Sequence, residues 1–229
     1  MNILSVDTTT KEASVSLRFD KTTVTNSIKN EITHSEKFLP LIDKTLKESK
    51  LSLKDIDRFA LLNGPGSFTG IRISLATIKA FCQVYKKDIF SISSLEALAY
   101  MGYKKSKNDY IVSLIDAKND RVYFNIYKME NIEGKIKISH QFSTNNEYLD
   151  DAKEFIQNYL KENNISDYFV ISNFENDFSN YCYYPTTEDL IEIYYNIYDI
   201  SSYTYNSYTL NAIYERKSQA ERIKENGKH

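Results

Sequence analysis

The sequence predicts an α/β protein built from two similar lobes. Three observations carry this prediction. Each half opens with a short apolar strand ending in aspartate, Ile3 to Asp7 and Tyr110 to Asp116. Alternating, hairpin-like strands follow each of them, and helical periodicity follows the hairpins. The order strand, hairpin, helix thus occurs twice in 229 residues, a length that suits two lobes. The divide falls near 103–108. This gives 1–105 as the first lobe and 106–229 as the second, whose tail is free to fold back on the first.

The elements follow from local patterns. Ile3, Leu4 and Val6 form an apolar run, and Thr8-Thr9-Thr10 reads as a turn. Ala13, Val15 and Leu17 alternate with polar residues, as in a half-buried strand. Val24 to Ile28 is a weaker third strand. Thr33-His34-Ser35-Glu36 fits a capping box for a helix whose Phe38, Leu39, Leu41, Ile42 and Leu46 share one face. Pro40 conflicts with that helix, which bends or begins there. Arg58 to Leu62 reads as a strand, Phe68 to Tyr85 as a helix, and Ile89 to Ile92 as a strand. Ser94 caps a helix through Tyr100. In the second half, Val122, Phe124 and Ile126 alternate as a strand, and Ile136 and Ile138 belong to another. Helices are expected over Tyr148 to Leu160 and Thr187 to about Ile200, with a strand over Tyr168 to Ser172.

Composition narrows the function classes. Hydrophobic content is 41% and charged content 26%, as in soluble globular chains. No apolar run is long enough to span a membrane, and the N-terminus lacks a signal-peptide pattern, so a cytoplasmic protein is expected. Cys82 and Cys182 form neither a disulfide framework nor a zinc site and read as buried free thiols. A net charge of −2 argues against direct RNA binding as the main task.

One motif stands out. Of six glycines, three lie in Gly64-Pro65-Gly66-Ser67-Phe68-Thr69-Gly70, at a strand-to-helix junction. Three readings are open: a tight turn capped by Ser67, an anion site at a helix N-terminus, or close approach of another chain or lobe. It is not a Walker loop, because Ile71-Arg72 stands where the lysine and hydroxyl belong. The following helix is apolar on two flanks. Ile71, Leu75, Ile78 and Cys82 lie on one, and Ile73, Ala76, Ala80 and Val84 on the other, separated by Arg72, Lys79 and Gln83. Such a helix is buried on two sides, the second being either its own lobe or a partner.

The stretch Gly64 to Arg72, with Leu75-Ala76 and Lys79-Ala80, resembles the signature of the TsaB (YeaZ) family. Ile3 to Thr9 resembles that family's first strand and hydroxyl-rich turn. His34-Ser35-Glu36 with Leu39-Pro40-Leu41-Ile42 resembles its first helix. Ser93 to Ala99, Asp116-Ala117-Lys118 with Val122-Tyr123, and Tyr214 to Glu221 follow in the family's order. The likeness is good over 1–127 and thin over 128–208.

The resemblance implies the two-lobed actin- and Hsp70-like ATPase fold. It implies a non-catalytic, activating subunit for synthesis of threonylcarbamoyladenosine in tRNA. Such a subunit binds the transferase TsaD as a heterodimer, with the ATPase TsaE joining them, forms a homodimer when alone, and meets tRNA only indirectly. The expected partner surface comprises His34, Phe38, Leu39, Ile42, Leu46, Phe68, Ile71, Arg72, Leu75, Ile78, Lys79 and Cys82. No cofactor intrinsic to the chain is expected, and ATP or ADP would sit at the joint interface.

Alternatives of catalytic type are weaker. TsaD holds a metal with two histidines one helical turn apart, and His34, His140 and His229 make no such pair. A glycoprotease-like peptidase would need a metal or nucleophile cluster. A stand-alone ATPase or kinase-like enzyme of the same fold would use Asp7 and Asp116 near magnesium and phosphate, so Asp7, Thr8 and Thr9 form a candidate vestigial phosphate site. Against it, no glycine occurs between Gly134 and Gly227, and Asn173 to Asp177 is bulky where the family more often has glycine.

Overall fold

The computed structural model describes residues 1–10, 12–29 and 34–213, and the side chains of all of these but His34 and Ser35. Thr33, His229 and the closing segment 214–221 lie outside the described residues.

The first sheet contains β1 (Ile3–Asp7), β2 (Glu12–Phe19), β3 (Thr22–Lys29), β4 (Arg58–Leu62), β5 (Ile89–Ile92) and the late two-residue strand β12 (Thr204–Tyr205). Their order is β12-β5-β4-β1-β2-β3. β1, β2 and β3 pair antiparallel, while β1, β4 and β5 run parallel. The second sheet contains β6 (Tyr110–Asp116), β7 (Arg121–Ile132), β8 (Lys135–His140), β9 (Asn145–Tyr148), β10 (Phe169–Ser172) and β11 (Tyr181–Cys182). β6, β7 and β8 again pair antiparallel, and β6, β10 and β11 again run parallel. The two sheets are therefore wound alike.

The helices are α1 (His34–Glu48), α2 (Phe68–Tyr85), α3 (Ser94–Ser106), α4 (Leu149–Glu162) and α5 (Thr187–Asn196). α1 and α2 pack with the outer face of the first sheet around Leu4, Val15, Phe59 and Leu61. α4 covers Val112, Leu114 and Val170 of the second. The third core unites the lobes: residues of α3 and α5 pack with Ile3, Ala60 and Phe90 from one sheet and Ile111, Tyr127 and Ile171 from the other. α3 follows the first sheet in the chain but packs on β6, β7 and β10, and α5 packs on β1, β2 and β4. The tail returns to the first lobe, where β12 pairs antiparallel with β5.

The likeness of the lobes breaks most visibly at the position of α2. α2 joins β4 to β5, whereas residues 173–180 join β10 to β11 without a helix. Phe174 and Phe178 from that loop pack against the core beneath it.

Several local expectations are refined. Pro40 lies inside α1 and on its exposed side. α3 is capped by Ser93 rather than Ser94, because Glu96 stands three residues after Ser93 and completes the box: Ser93 Oγ accepts from Glu96 N–H and the Glu96 carboxylate accepts from Ser93 N–H. α5 stops at Asn196, and a 3-10 turn, Ile200–Tyr203, leads to β12. Residues 122–127 of β7 are buried on both faces, not alternately, because α3 and α4 cover opposite sides of the sheet.

Candidate functional site

The glycine motif leaves the carboxyl end of β4 and binds three elements together. Gly64 has φ +106°, in the region that favours glycine, and the Gly64-Pro65 peptide is cis. Gly64 O accepts from Ser94 N–H at 2.7 Å, which fixes the start of α3. Asn63 O accepts from Ile213 N–H at 2.8 Å, which fixes the tail. Ser67 caps α2, its Oγ accepting from Gly70 N–H at 3.2 Å. Ser67 N–H donates to Thr9 O at 2.8 Å, and Thr8 Oγ1 donates to Gly70 O at 2.6 Å. A Cβ on Gly70 would lie 1.7 Å from Thr8 O. The motif thus combines a capped turn with close approach, and the approaching segment is the first turn of the same lobe.

Replacing Thr8 by Val removes a fully buried hydroxyl from the Gly70 carbonyl. We expect a loss of about 1–3 kcal/mol, read as a lower urea midpoint at unchanged slope.

The turns after β1 and β6 engage several of their polar groups within the chain. In the first, Thr8 Oγ1 is engaged by Gly70 O, and Thr9 N–H donates to Asp7 Oδ1 at 2.8 Å. Asp7 itself is buried. At the loop, Ser67, Gly70 and Ile71 N–H all have acceptors within the chain. In the second turn, Asp116 accepts from Lys118 N–H at 2.8 Å and meets Lys118 Nζ at 3.2 Å, while Ala117 N–H donates to Arg121 O. These donors are held by the protein's own acceptors rather than turned to a ligand.

Beside the glycine motif the cleft holds a cavity of about 310 Å³. Asn63, Pro65 and Ser91 line it from the first sheet, Glu96 from α3, His140 from β8 and Tyr203 from the tail. It lies at the carboxyl ends of β4 and β5, where open α/β sheets form crevices.

The helical face expected to meet a partner divides differently from its sequence pattern. On α1, Phe38, Ile42 and Leu46 are buried in the lobe's own core, and Leu39 is 53% exposed. His34 opens α1. On α2, Ile78 and Cys82 belong to the same core, Ile71 is buried beneath the glycine loop, and half-buried Leu75 packs against the core. Burial pushes the Cys82 thiol up to about 12, which leaves it an inert core group. Phe38, Ile42, Leu46, Ile71, Ile78 and Cys82 therefore serve the fold and are not free to dock. Lys79 Nζ donates to Leu210 O at 2.9 Å and holds the tail, while Arg72 covers the half-buried Phe68 ring at 3.9 Å. The flank left open is the opposite one: Ala76 and Ala80 are exposed and Val84 is 70% exposed, while half-buried Ile73 packs against the core like Leu75.

Because Ile78 is fully buried, Ile78→Ala should cost about 2–5 kcal/mol, measured by chemical denaturation. Val84→Ala, at a position 70% exposed on the same helix, would cost a small fraction of that.

Sequence reasoning named the first flank as the partner surface, and the structure buries its Ile71, Ile78 and Cys82 in the lobe. That reasoning weighed His140 only as a metal ligand and did not bring Glu96, His140 and Tyr203 together. Glu96 was legible as a third-position carboxylate after Ser93, but its two other partners come from 44 and 107 residues away. Among the described residues, no three His, Cys, Asp or Glu side chains stand together as a metal site, and no helix is long and apolar enough to cross a membrane.

Two like-wound sheets joined through α3 and α5 make this the actin- and Hsp70-like ATPase fold. The chain belongs to the family whose model is described as TsaD: tRNA N6-adenosine threonylcarbamoyltransferase, which matches residues 24–201. It is 36% identical over 129 residues to the tRNA threonylcarbamoyladenosine biosynthesis protein TsaB of Buchnera aphidicola subsp. Schizaphis graminum, covering 56% of this chain and 61% of that protein. It is 31% identical over 130 residues to the protein of the same name in Escherichia coli, covering 57% and 56%. The chain thus spans a little over half the length of these relatives. A solved structure, YeaZ from Pseudomonas aeruginosa, superposes with a TM-score of 0.68 at 19% identity, covering 93% of this chain and 99% of that one, a likeness of fold.

Proposed function

We propose that this chain is a non-catalytic, activating subunit in the synthesis of threonylcarbamoyladenosine in tRNA. It docks on a TsaD-type transferase through α2 and holds that partner in its competent form. The observation that carries this reading is the open flank of α2. Ala76, Ala80 and Val84 form an exposed apolar stripe on a helix whose other side is core, and Ile73 joins it to that core. Spacings of three, four and four residues set the four on one side of the helix, and alanines let a facing helix approach closely. Leu39 on α1 adds a further exposed apolar side chain. The TsaB name carried by the matched relatives supports the pathway.

The absent counterpart of α2 in the second lobe agrees with a one-sided partner surface. In this reading TsaE joins the pair, and ATP or ADP binds at the joint interface rather than in this chain's cleft, whose turns are closed by their own hydrogen bonds. Without its partner the chain pairs with a second copy through the same stripe, as an exposed apolar surface seeks cover. A net charge of −2 leaves tRNA to the partner, and the complex works in the cytoplasm.

The test is threonylcarbamoyl transfer to tRNA by the transferase of the same organism, with TsaE and ATP present. Transfer should depend on this chain and fail with Ala80→Arg. Equal transfer with and without the chain would refute the reading.

A further inference from the structure

We propose that Glu96, His140 and Tyr203 form a proton-linked clasp across the cleft between the two lobes. Glu96 is buried in the first turn of α3, directly after the first sheet. Its Oε2 accepts from Ser93 Oγ at 2.6 Å and Ser93 N–H at 3.1 Å. Its Oε1 meets His140 Nε2 at 3.2 Å and accepts from Tyr203 O–H at 3.1 Å. His140 ends β8 in the second sheet, and Tyr203 precedes β12 on the edge of the first. One carboxylate oxygen therefore ties the hairpin of the second lobe and the returning tail to the start of α3. All three side chains line the cleft cavity.

The surroundings of His140 define its protonation states. Glu96 faces it from α3, Tyr203 approaches that carboxylate from the tail, and β7 supplies the Tyr127 ring at 5.1 Å and Asn125. The Asn125 amide has a fixed orientation, because its Oδ1 accepts from Ile126 N–H at 2.7 Å and its Nδ2 donates to Phe142 O at 3.0 Å. It therefore turns an N–H toward His140 Nδ1 at 3.5 Å. The neutral imidazole with its proton on Nε2 satisfies both neighbours. Protonation adds a hydrogen at Nδ1 that opposes Asn125, and converts the bond to Glu96 into an ion pair. The clasp is thus a hydrogen bond when His140 is neutral and a charge-assisted one when it is protonated.

The hydrogen bond to Glu96 raises His140 above its ordinary 6.5, against the effect of partial burial. Burial opposes the Glu96 charge, but hydrogen bonds from His140 and Ser93 hold its carboxyl below the ordinary 4.5. The histidine contribution is full below 6.5 and is lost as pH rises through the higher folded value. The carboxylate contribution is full above 4.5 and is lost as pH falls through the lower folded value. The clasp is tightest between these ordinary values and slackens on the alkaline side.

The test is an NMR titration of His140 in the full chain, assigned by comparison with His140→Gln, together with amide exchange at 93–96 and 204–205 across pH 6–9 after correction for intrinsic rates. We expect a His140 midpoint above 6.5 that drops in Glu96→Gln. We also expect protection at those amides to fall severalfold as pH rises through that midpoint, and to be flat in His140→Gln. A midpoint at or below 6.5 in the wild type, or the same pH dependence of protection in His140→Gln, would overturn the proposal. The histidine variant leaves the Ser93 cap intact, so the exchange arm is decisive even where Glu96→Gln fails to fold.

Discussion

Gly70→Ala is expected to abolish cooperative folding or to lower stability more than a methyl group added at any other described glycine. The new Cβ would stand 1.7 Å from Thr8 O and 2.8 Å from Thr8 C. Both are backbone atoms of the buried first turn, so no side chain can swing aside to relieve the clash. To make room, α2 must move away from β1, breaking the 2.6 Å bond from Thr8 Oγ1 to Gly70 O and the bond from Ser67 N–H to Thr9 O. Ordinary overpacking costs about 1–3 kcal/mol, and this case should exceed it, in a chain whose total stability is on the order of 5–15 kcal/mol. Thermal unfolding followed by circular dichroism checks it. A variant that melts within a few degrees of the wild type would show that the contact between α2 and the first turn is not tight.

Ala80→Arg should remove binding to the transferase while leaving the fold as it was. Ala80 is exposed and lies one turn from both Ala76 and Val84. An arginine there is solvated in the free chain and costs little stability. In a helix-to-helix interface it supplies both bulk and an unpaired charge at the closest point of approach. We expect affinity to fall by at least ~100-fold, about 2.8 kcal/mol at about 1.4 kcal/mol per tenfold. Titration calorimetry with wild type and variant reads the loss, and unchanged melting shows that it is not unfolding. Binding retained by Ala80→Arg but lost by a change at Leu39 would move the surface to α1 alone.

The contrast between these two helix positions explains what was legible in the sequence. The strands β1, β4 and β5 and the helix α2 were readable to the residue, because their apolar runs are long enough and bounded by turn residues. The two apolar flanks of α2 were also readable. Which flank is core was not, since both Ile71-Ile78-Cys82 and Ile73-Ala76-Ala80-Val84 satisfy the same helical period. The choice is made by the placement of α2 over β1 and β4, a tertiary fact. The strand β9 reads Asn145-Asn146-Glu147-Tyr148 and has no apolar run, and β11 and β12 span two residues each, too short for any periodicity. The close fit of Gly70 against Thr8 was foreshadowed by the crowding of glycines, but its partner lies 62 residues away. The Glu96 clasp was hidden for the same reason: His140 and Tyr203 sit in segments with no motif to mark them.

The most direct measurement is size-exclusion chromatography with light scattering on this chain mixed with the transferase of the same organism, with and without ATP. A species with the mass of a heterodimer, lost in Ala80→Arg and accompanied by transfer activity that depends on it, is the predicted result. No complex under any condition, together with ATP turnover by this chain alone, would contradict the account and point to an independent enzyme of the same fold.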